Sequence, residues 1–554
     1  MGKDLLLAAQ PSLGVCIADT GEAHFALFAP NKRSVHLIGD FNHWVPGAQP
    51  LTETQGLWQT NLCLPPGRHR YKFLVDGALV VGDPYAREIE REATDNEAPA
   101  AIVHMGGAPF PWRHDAWARP PFQDLIFYEA LVHDFTPEQT FTGVTGRLDY
   151  LRRLGINALE LMPVYAARRN DNWGYEPNYF FAPHPEYGRP EDLKRLVDEA
   201  HGHGIAIVLD IVLAHTGHDH TFNRLYAYDQ SVWYGQTFGA ENEYGLPPFD
   251  HEKATTQSFC RDVIRFWLNE YHVDGFRLDY VNLIDEKDGL GVPQLISNIR
   301  ECRPDAYITS EMLPEDPEKT SRWDNDAAWH WHIGMLLREL LLADTGYKLT
   351  QKHEGWRGFM KALTPEADGY SGGRKMINYC ESHDEERLTW FLREAGLPEE
   401  QIVKRVGLAA TILFTMAGEP MLYHGQEFGE STRMLQTGNP LHWEALTSSG
   451  GASLHHWFQQ LIALRQGEAA LRSNNFQVVC ERPSHRCVAY RRWDEHRQVV
   501  VVANLSPAPQ RITVPFPEAG SWKEFYSGDE FCVRQRKTLH LAAFSSMILR
   551  RLPE

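Results

Sequence analysis

Val273-Asp274-Gly275-Phe276-Arg277-Leu278-Asp279 is a short apolar stretch that ends on a carboxylate. Short apolar runs of this kind read as buried strands. Arg277 and Asp279 are two apart, so on a strand both side chains point to one face. A guanidinium beside a carboxylate lowers its pKa and keeps it ionised, which is what a nucleophilic Asp needs. A lone Arg-x-Asp is more often a structural ion pair than a catalytic one, so its meaning depends on what surrounds it.

Similar runs lie on both sides. Ile205-Ala-Ile-Val-Leu-Asp-Ile-Val-Leu213 is almost continuously apolar, as expected of a strand buried on both faces. Leu125–Glu129, Ala158–Met162, Tyr307–Glu311, Lys375–Cys380 and Met421–Tyr423 are further strand-like runs. Helical sequence alternates with them. Gly146–Leu154 is closed by Gly155, and Pro190–His203 has Pro in its first turn and Gly204 behind it. This repetition predicts an α/β fold, a (β/α)8 TIM barrel over 120–470. A doubly wound sheet is the alternative, weakened because no Gly-x-Gly-x-x-Gly follows any of these strands. After Leu213, a loop rich in His, Tyr, Gly and Asp forms a short insertion at about 214–255. Loops this long in compact domains usually carry function.

The flanks are β in texture. Residues 1–112 hold short strand-formers (His24–Ala29, Ser34–Gly39, Trp58–Leu62, Tyr71–Val75) between turn residues, and residues 473–554 repeat the pattern. Both predict β-sandwich domains. Composition fits a globular protein, with 43% hydrophobic and 23% charged residues. A net charge of −19 argues against a nucleic-acid surface. The start, Met1-Gly-Lys-Asp-Leu-Leu6, lacks the apolar core of a signal peptide, and no run is long enough to span a membrane. The 8 cysteines form no Cys-x-x-Cys pair, which argues against a zinc ribbon and fits buried thiols in a reducing, cytoplasmic setting. With 16 Trp, 21 Tyr and 27 Phe, the chain is rich in rings that suit the apolar faces of sugars.

Barrel active sites lie at the C-terminal ends of the strands. There the chain places Asp210 leading to His215, then Arg277-x-Asp279, then Thr309-Ser310-Glu311, then Ser382-His383-Asp384. Two carboxylates flanking a bond are what glycosidase chemistry requires. Asp279, beside Arg277, suits the ionised nucleophile. Glu311, in an apolar setting, suits the acid that starts protonated. Asp384 is available to stabilise a positively charged transition state, and His215 and His383 are placed to hydrogen-bond sugar hydroxyls. His215-Thr-Gly-His218-Asp-His220 also reads as sugar- or water-binding imidazoles rather than metal ligands. Trp329-His-Trp-His332 falls near the sixth strand and reads equally well as cleft lining or core. Glu427 belongs to the rim.

These stretches carry a resemblance. Residues 122–465 resemble the α-amylase family, glycoside hydrolase family 13, through Asp210-Ile-Val-Leu-Ala-His215, Gly275-Phe-Arg-Leu-Asp279, Glu311 and Ser382-His383-Asp384, with Asn172-Trp173-Gly174-Tyr175 as the segment of its stacking tyrosine. Gly39-Asp-Phe-Asn-His-Trp44 with Tyr71-Lys-Phe73 and Asp76-Gly77 resembles a family-48 carbohydrate-binding module, in which Trp44 either stacks on sugar or packs against the barrel. The resemblance implies a retaining double displacement on α-glucans. In it Asp279 is nucleophile, Glu311 acid/base and Asp384 transition-state stabiliser. Tyr175 stacks under the reacting glucose, and Arg277, His215, His383 and Asp210 hold the site. It implies no cofactor. Many members bind calcium through an Asn before the first His, a position that is Ala214 here. The expected substrate is starch, glycogen or a malto-oligosaccharide cleaved at α-1,4 bonds. Branching-enzyme transfer, maltooligosyltrehalose trehalohydrolysis and non-catalytic glucan binding are the alternatives.

Overall fold

Eight parallel strands close into a barrel in the computed structural model, which describes residues 13–553 except 19, 91–97, 168–172, 228–229, 235–241, 285–286, 350–353 and 435–437. The strands are β1 Phe127–Ala130, β2 Ala158–Leu161, β3 Ala206–Ile211, β4 Gly275–Leu278, β5 Tyr307–Ser310, β6 Ala327–His330, β7 Met376–Asn378 and β8 Glu419–Tyr423. Each pairs with the next, and β8 pairs with β1.

All six positions of β3 are buried, one face toward the barrel interior and one toward the helices. The helices supply matching apolar stripes. Pro190–Gly202 buries Leu193, Leu196, Val197 and Ala200, and Ala254–Glu270 buries Cys260, Val263, Ile264 and Trp267. These are the i, i+3, i+4, i+7 spacings of an amphipathic helix. Gly275 opens β4 because nothing larger fits: a Cβ there would lie 2.0 Å from the Tyr307 carbonyl oxygen of β5. Phe127, Val208, Tyr307, Trp329, Ile377, Tyr379 and Met421 fill the interior, so the barrel is a packed core with chemistry confined to its mouth.

On the N-terminal side two antiparallel sheets stack, one built on Ala23–Phe28 and Leu57–Leu62, the other on Val35–Gly39 and Gly67–Val75. Phe25, Tyr71 and Phe73 fill the space between them. Tyr85 ties this unit to the barrel, its ring stacked 4.6 Å from Phe181 and its hydroxyl donating to Asp262 at 3.2 Å. Trp44 is half-buried on its own sheet, with the Arg70 and Lys72 charges each 5.9 Å from its ring. After the barrel comes a six-stranded antiparallel sheet with a two-stranded partner, Gln510–Pro515 with Arg536–Leu541. Arg492 of that sheet is fully buried and donates to the carbonyls of Thr415 and Ser473. No cysteine is paired, and Cys16, Cys63 and Cys532 are exposed rather than buried as expected. Among the described residues no helix is long and apolar enough to cross a membrane.

The insertion after β3 is held by buried imidazoles. His215 donates to the Tyr175 carbonyl at 2.9 Å, His251 donates to the Leu213 carbonyl at 2.9 Å, and His220 packs among Phe180, Phe222 and Phe259. Burial pushes His215 and His251 down to about 4 and His220 to about 3. The unfolded chain then binds more protons than the folded one below the ordinary histidine value of about 6.5. Their contribution to stability is complete above that value and falls away as pH drops toward about 4. Thermal unfolding followed from pH 7 to pH 4 is therefore expected to show a falling midpoint. His251→Gln keeps a donor and cannot charge, so it should flatten that fall; identical profiles for the two proteins would count against this account.

Candidate active site

One guanidinium organises the mouth of the barrel. Arg277 is fully buried on β4, beside Asp210 of β3 in the strand register. Its Nη1 donates to both Asp210 oxygens at 2.8 Å and to Asp279 Oδ1 at 2.7 Å, and its Nη2 pairs with Glu311 Oε2 at 2.8 Å. The indole of Trp329 on β6 lies below, its ring 4.3 Å from the guanidinium carbon. Trp329 is therefore core that doubles as the floor of the site. Trp331 instead donates from its indole to Glu385 at 2.6 Å.

Asp279 and Glu311 are the first residues past β4 and β5, where the backbone leaves the sheet and side chains turn into the mouth. Asp384 sits further out, on the turn that bridges Ser382 and Glu385 beyond the short strand β7. Its side chain is 43% exposed, the most open of the three.

A second chain of charge crosses the first. His383 donates from Nδ1 to Glu129 Oε1 at 2.6 Å and faces Asp384 Oδ2 with Nε2 at 3.1 Å. Burial alone would lower His383, but Asp384 and Glu129 outweigh it and raise the imidazole well above its ordinary value. His383 is a cation clamped between two carboxylates. Burial also pushes Asp384 up, yet His383 and Arg277 prevail and hold it below its usual range. Glu129, on β1, was not legible as a site residue: a Glu inside an apolar strand carries no signal until the barrel closes and brings β1 beside β7's loop.

The nucleophile candidate is less simple than its sequence suggested. Burial raises Asp279 well above the carboxylate range; Arg277 opposes this, while Asp210, Glu311 and Asp384 reinforce it. Glu311 is raised for the same first reason, with Arg277 again opposing and Asp384 adding to it. One guanidinium is shared by Asp279 and Glu311, and burial holds both carboxyls above their usual range against it.

Tyr175 donates to Asp210 Oδ2 and stacks on His383, ring centroids 5.0 Å apart. Asn172 of the same segment lies outside the described residues. His215 accepts at Nδ1 from Asn242 at 3.3 Å and donates from Nε2 to Tyr175. Both ring nitrogens of His215 and of His383 thus meet protein groups, so both rings act on the site by holding other residues.

Among the described residues, Glu315, His330 and Asp368 alone cluster as metal ligands would. His330 donates at Nδ1 to Asn378 Oδ1 (2.8 Å) and at Nε2 to Asp368 Oδ2 (3.0 Å), and Glu315 and Asp368 outweigh burial to raise it. An imidazole donating from both nitrogens is an ion-pair partner rather than a ligand. Ala214 is fully buried and offers no side-chain oxygen.

Comparison with known proteins agrees with this architecture. The α-amylase catalytic-domain profile matches residues 134–243 and 223–450, carbohydrate-binding module 48 (isoamylase N-terminal domain) matches 12–86, and the α-amylase C-terminal all-beta domain matches 478–548. The malto-oligosyltrehalose trehalohydrolase of Rhizobium sp. (strain M-11) is 31% identical over 454 residues, 74% of this chain and 72% of that one. The 1,4-alpha-glucan branching enzyme GlgB of Methylococcus capsulatus is 24% identical over 575 residues, 92% of this chain and 74% of that one. The matches cover 66% and 49% of the first two trehalohydrolase relatives' own lengths. Among solved structures, pullulanase from Anoxybacillus sp. LM18-11 superposes with a TM-score of 0.80 at 21% identity, over 99% of this chain and 87% of that one.

Glu129→Gln removes the anion on one side of His383. The imidazole pKa should fall, toward neutrality, as read from the ring resonances in a nuclear magnetic resonance titration. An unchanged His383 titration in that variant would dissolve the clamp.

Proposed function

The chain belongs to the α-amylase family, glycoside hydrolase family 13, and from that premise we propose that it cleaves α-1,4-glucosidic bonds in malto-oligosaccharide chains by a retaining double displacement. It is an enzyme of the α-amylase type; the bond and the acceptor are the matter proposed. The observation that carries the proposal is the shared grip of Arg277 on Asp210, Asp279 and Glu311, facing Asp384 across the mouth.

In the first step Glu311 gives its proton to the glycosidic oxygen as the C1–O bond breaks, and an Asp279 oxygen bonds to C1. Asp384, held ionised by His383 and half open to the cleft, lies where it offsets the positive charge that builds on the sugar ring. In the second step a water oxygen attacks C1, its proton passes to Glu311, and the C1–Asp279 bond breaks. The burial that raises the Glu311 carboxyl supports this cycle, since the acid must start protonated. Tyr175 offers its ring beside His383 as the platform for the reacting glucose.

A trehalose-capped malto-oligosaccharide is the second reading, favoured by the 30–31% identity to relatives named malto-oligosyltrehalose trehalohydrolase. Branching by transfer to a sugar 6-hydroxyl rests on relatives of lower identity that match more of the chain. Incubation with amylose and with maltooligosyltrehalose separates these outcomes. Reducing ends, free trehalose and α-1,6 anomeric protons are the readouts. Reducing ends without α-1,6 signal are expected; α-1,6 signal with few reducing ends would overturn hydrolysis. Asp279→Asn should lower kcat by at least about a thousandfold while glucan binding persists. Turnover that survives this substitution would remove Asp279 from the nucleophile's role.

A further inference from the structure

The line of charge that reaches Asp384 does not stop at Glu129. It leads inward, to a carboxyl that the steps above do not use. Glu129 on β1 and Glu160 on β2 stand opposite each other in the strand register. Register partners on neighbouring strands lie about 4.8 Å apart, and in a parallel pair their side chains share one face. That face is the barrel interior, because Phe127 and Ala158, two residues earlier on each strand, belong to its packed core. Glu129 and Glu160 are each 1% exposed.

Three oxygens here have no donor among the described residues: Glu129 Oε2 and both oxygens of Glu160. Glu129 Oε1 is taken by His383 Nδ1 at 2.6 Å. An ionised carboxyl buried without donors is strongly destabilised, and two neighbouring carboxyls relieve the strain by keeping one proton between them. The two places for that proton are unequal. Glu129 meets the His383 imidazole at hydrogen-bond distance, so it gains by being the anion. Glu160 meets no cation at that distance among the described residues, so it gains by being the acid. With the proton on Glu160, its O–H is a donor and Glu129 Oε2 an acceptor, and one hydrogen bond satisfies two of the three oxygens. Burial and then Glu129 raise the Glu160 carboxyl; Asp210 of β3 adds to this, while Arg277 of β4 and His383 from beyond β7 oppose it.

We propose that Glu160 is a positioning residue for the cleavage reaction: its carboxyl donates a hydrogen bond to Glu129 Oε2, and so holds Glu129 as the anion that fixes His383 against Asp384. The inference rests on the proposed α-glucan chemistry. Glu160 touches no reacting atom and keeps its proton throughout the cycle. It acts through Glu129 and His383, and the direction of each bond follows from the one before. Once Glu129 Oε2 accepts from Glu160, Glu129 has no proton to offer and accepts from His383 Nδ1 at Oε1. That bond sets the plane of the imidazole and leaves Nε2 for Asp384, 3.1 Å away. The stabiliser of the transition state, half open to the cleft, is thus steadied from inside the barrel.

Two substitutions separate the donor from the charge. Glu160→Gln keeps a donor of nearly the same shape and cannot ionise, whereas Glu160→Leu removes the donor. The ring resonances of His383, followed by nuclear magnetic resonance across pH, should titrate unchanged in Glu160→Gln and about one unit lower in Glu160→Leu, because Glu129 loses a hydrogen bond that favours its charged form. An equal fall in both variants makes Glu160 an anion, and no shift in either leaves it unbonded to Glu129; each result overturns the proposal. With maltoheptaose, kcat should drop about tenfold in Glu160→Leu with KM little changed, and recover in Glu160→Gln. A shifted His383 with unchanged kcat would remove Glu160 from the reaction. Infrared difference spectra need neither turnover nor the Leu variant. The unmodified protein minus Glu160→Gln should show the carbonyl band of a protonated carboxyl. Glu129→Gln minus Glu129→Gln/Glu160→Gln should show that band displaced, since its acceptor is then an amide. A carboxylate band in the first spectrum, or an undisplaced band in the second, overturns the proposal. If the unmodified protein turns over no maltoheptaose, the proposed function falls and the role in the reaction falls with it, while the infrared bands still report the hydrogen bond.

Discussion

A single buried arginine sets the terms for the mouth of this barrel. Arg277 is fully enclosed and in contact with Asp210, Asp279 and Glu311. Removing one partner of such a pair typically costs about 3–5 kcal/mol, because the remaining charges stay buried. Asp210, Asp279 and Glu311 come from three strands or strand ends, so their attachment to one cation also fixes how β3, β4 and β5 finish. Gly275 enters here as a constraint of packing: β4 can carry Arg277 and Asp279 to their places only if its first residue admits the Tyr307 carbonyl. The electrostatic centre and the close approach of two strands are parts of one arrangement.

Charge balance then decides protonation. Among the described residues, Arg277 and the His383 imidazole are the cationic groups in short contact with Asp210, Asp279, Glu311, Asp384 and Glu129. Burial first, and then like charges in a medium that screens them poorly, raises Asp279 and Glu311. Glu160 on β2 illustrates the extreme. Buried with both oxygens unpaired and opposite Glu129 in the register, it is raised well above the carboxylate range, first by burial and then by Glu129.

The barrel and its flanking sheets were legible because their signals are local: period, turn residues, and glycine or proline at helix ends. Asp279 and Glu311 were legible because strand ends in a barrel converge on one mouth. Asp384 was read as a strand end too, whereas β7 ends at Asn378 and a turn beyond it carries the carboxylate. The pKa of Asp279 was not legible, because Arg-x-Asp shows one cation beside one carboxylate and hides the two other carboxylates that share it. Glu129 and Asn242 escaped for a related reason. Glu129 acts through His383, 254 residues away, and Asn242 through His215, 27 residues away across the insertion, and their own surroundings in sequence read as core and as polar loop.

In the proposed reaction, bond cleavage and choice of acceptor make separate demands. Arg277, Asp279, Glu311, Asp384 and the His383–Glu129 pair would serve the first, at the anomeric carbon and the oxygen bonded to it. None of them distinguishes water from a sugar hydroxyl, since either delivers an oxygen to the same carbon and a proton to the same carboxylate. That distinction needs a surface that binds the rest of the incoming molecule. The insertion after β3 meets the mouth where Glu243 accepts from the Tyr280 hydroxyl. His215 ties that insertion to Tyr175 on one side and, through Asn242, to the turn of Tyr244 on the other. The barrel carries the charged cluster, and a loop outside the strands is joined to it through the buried His215 imidazole.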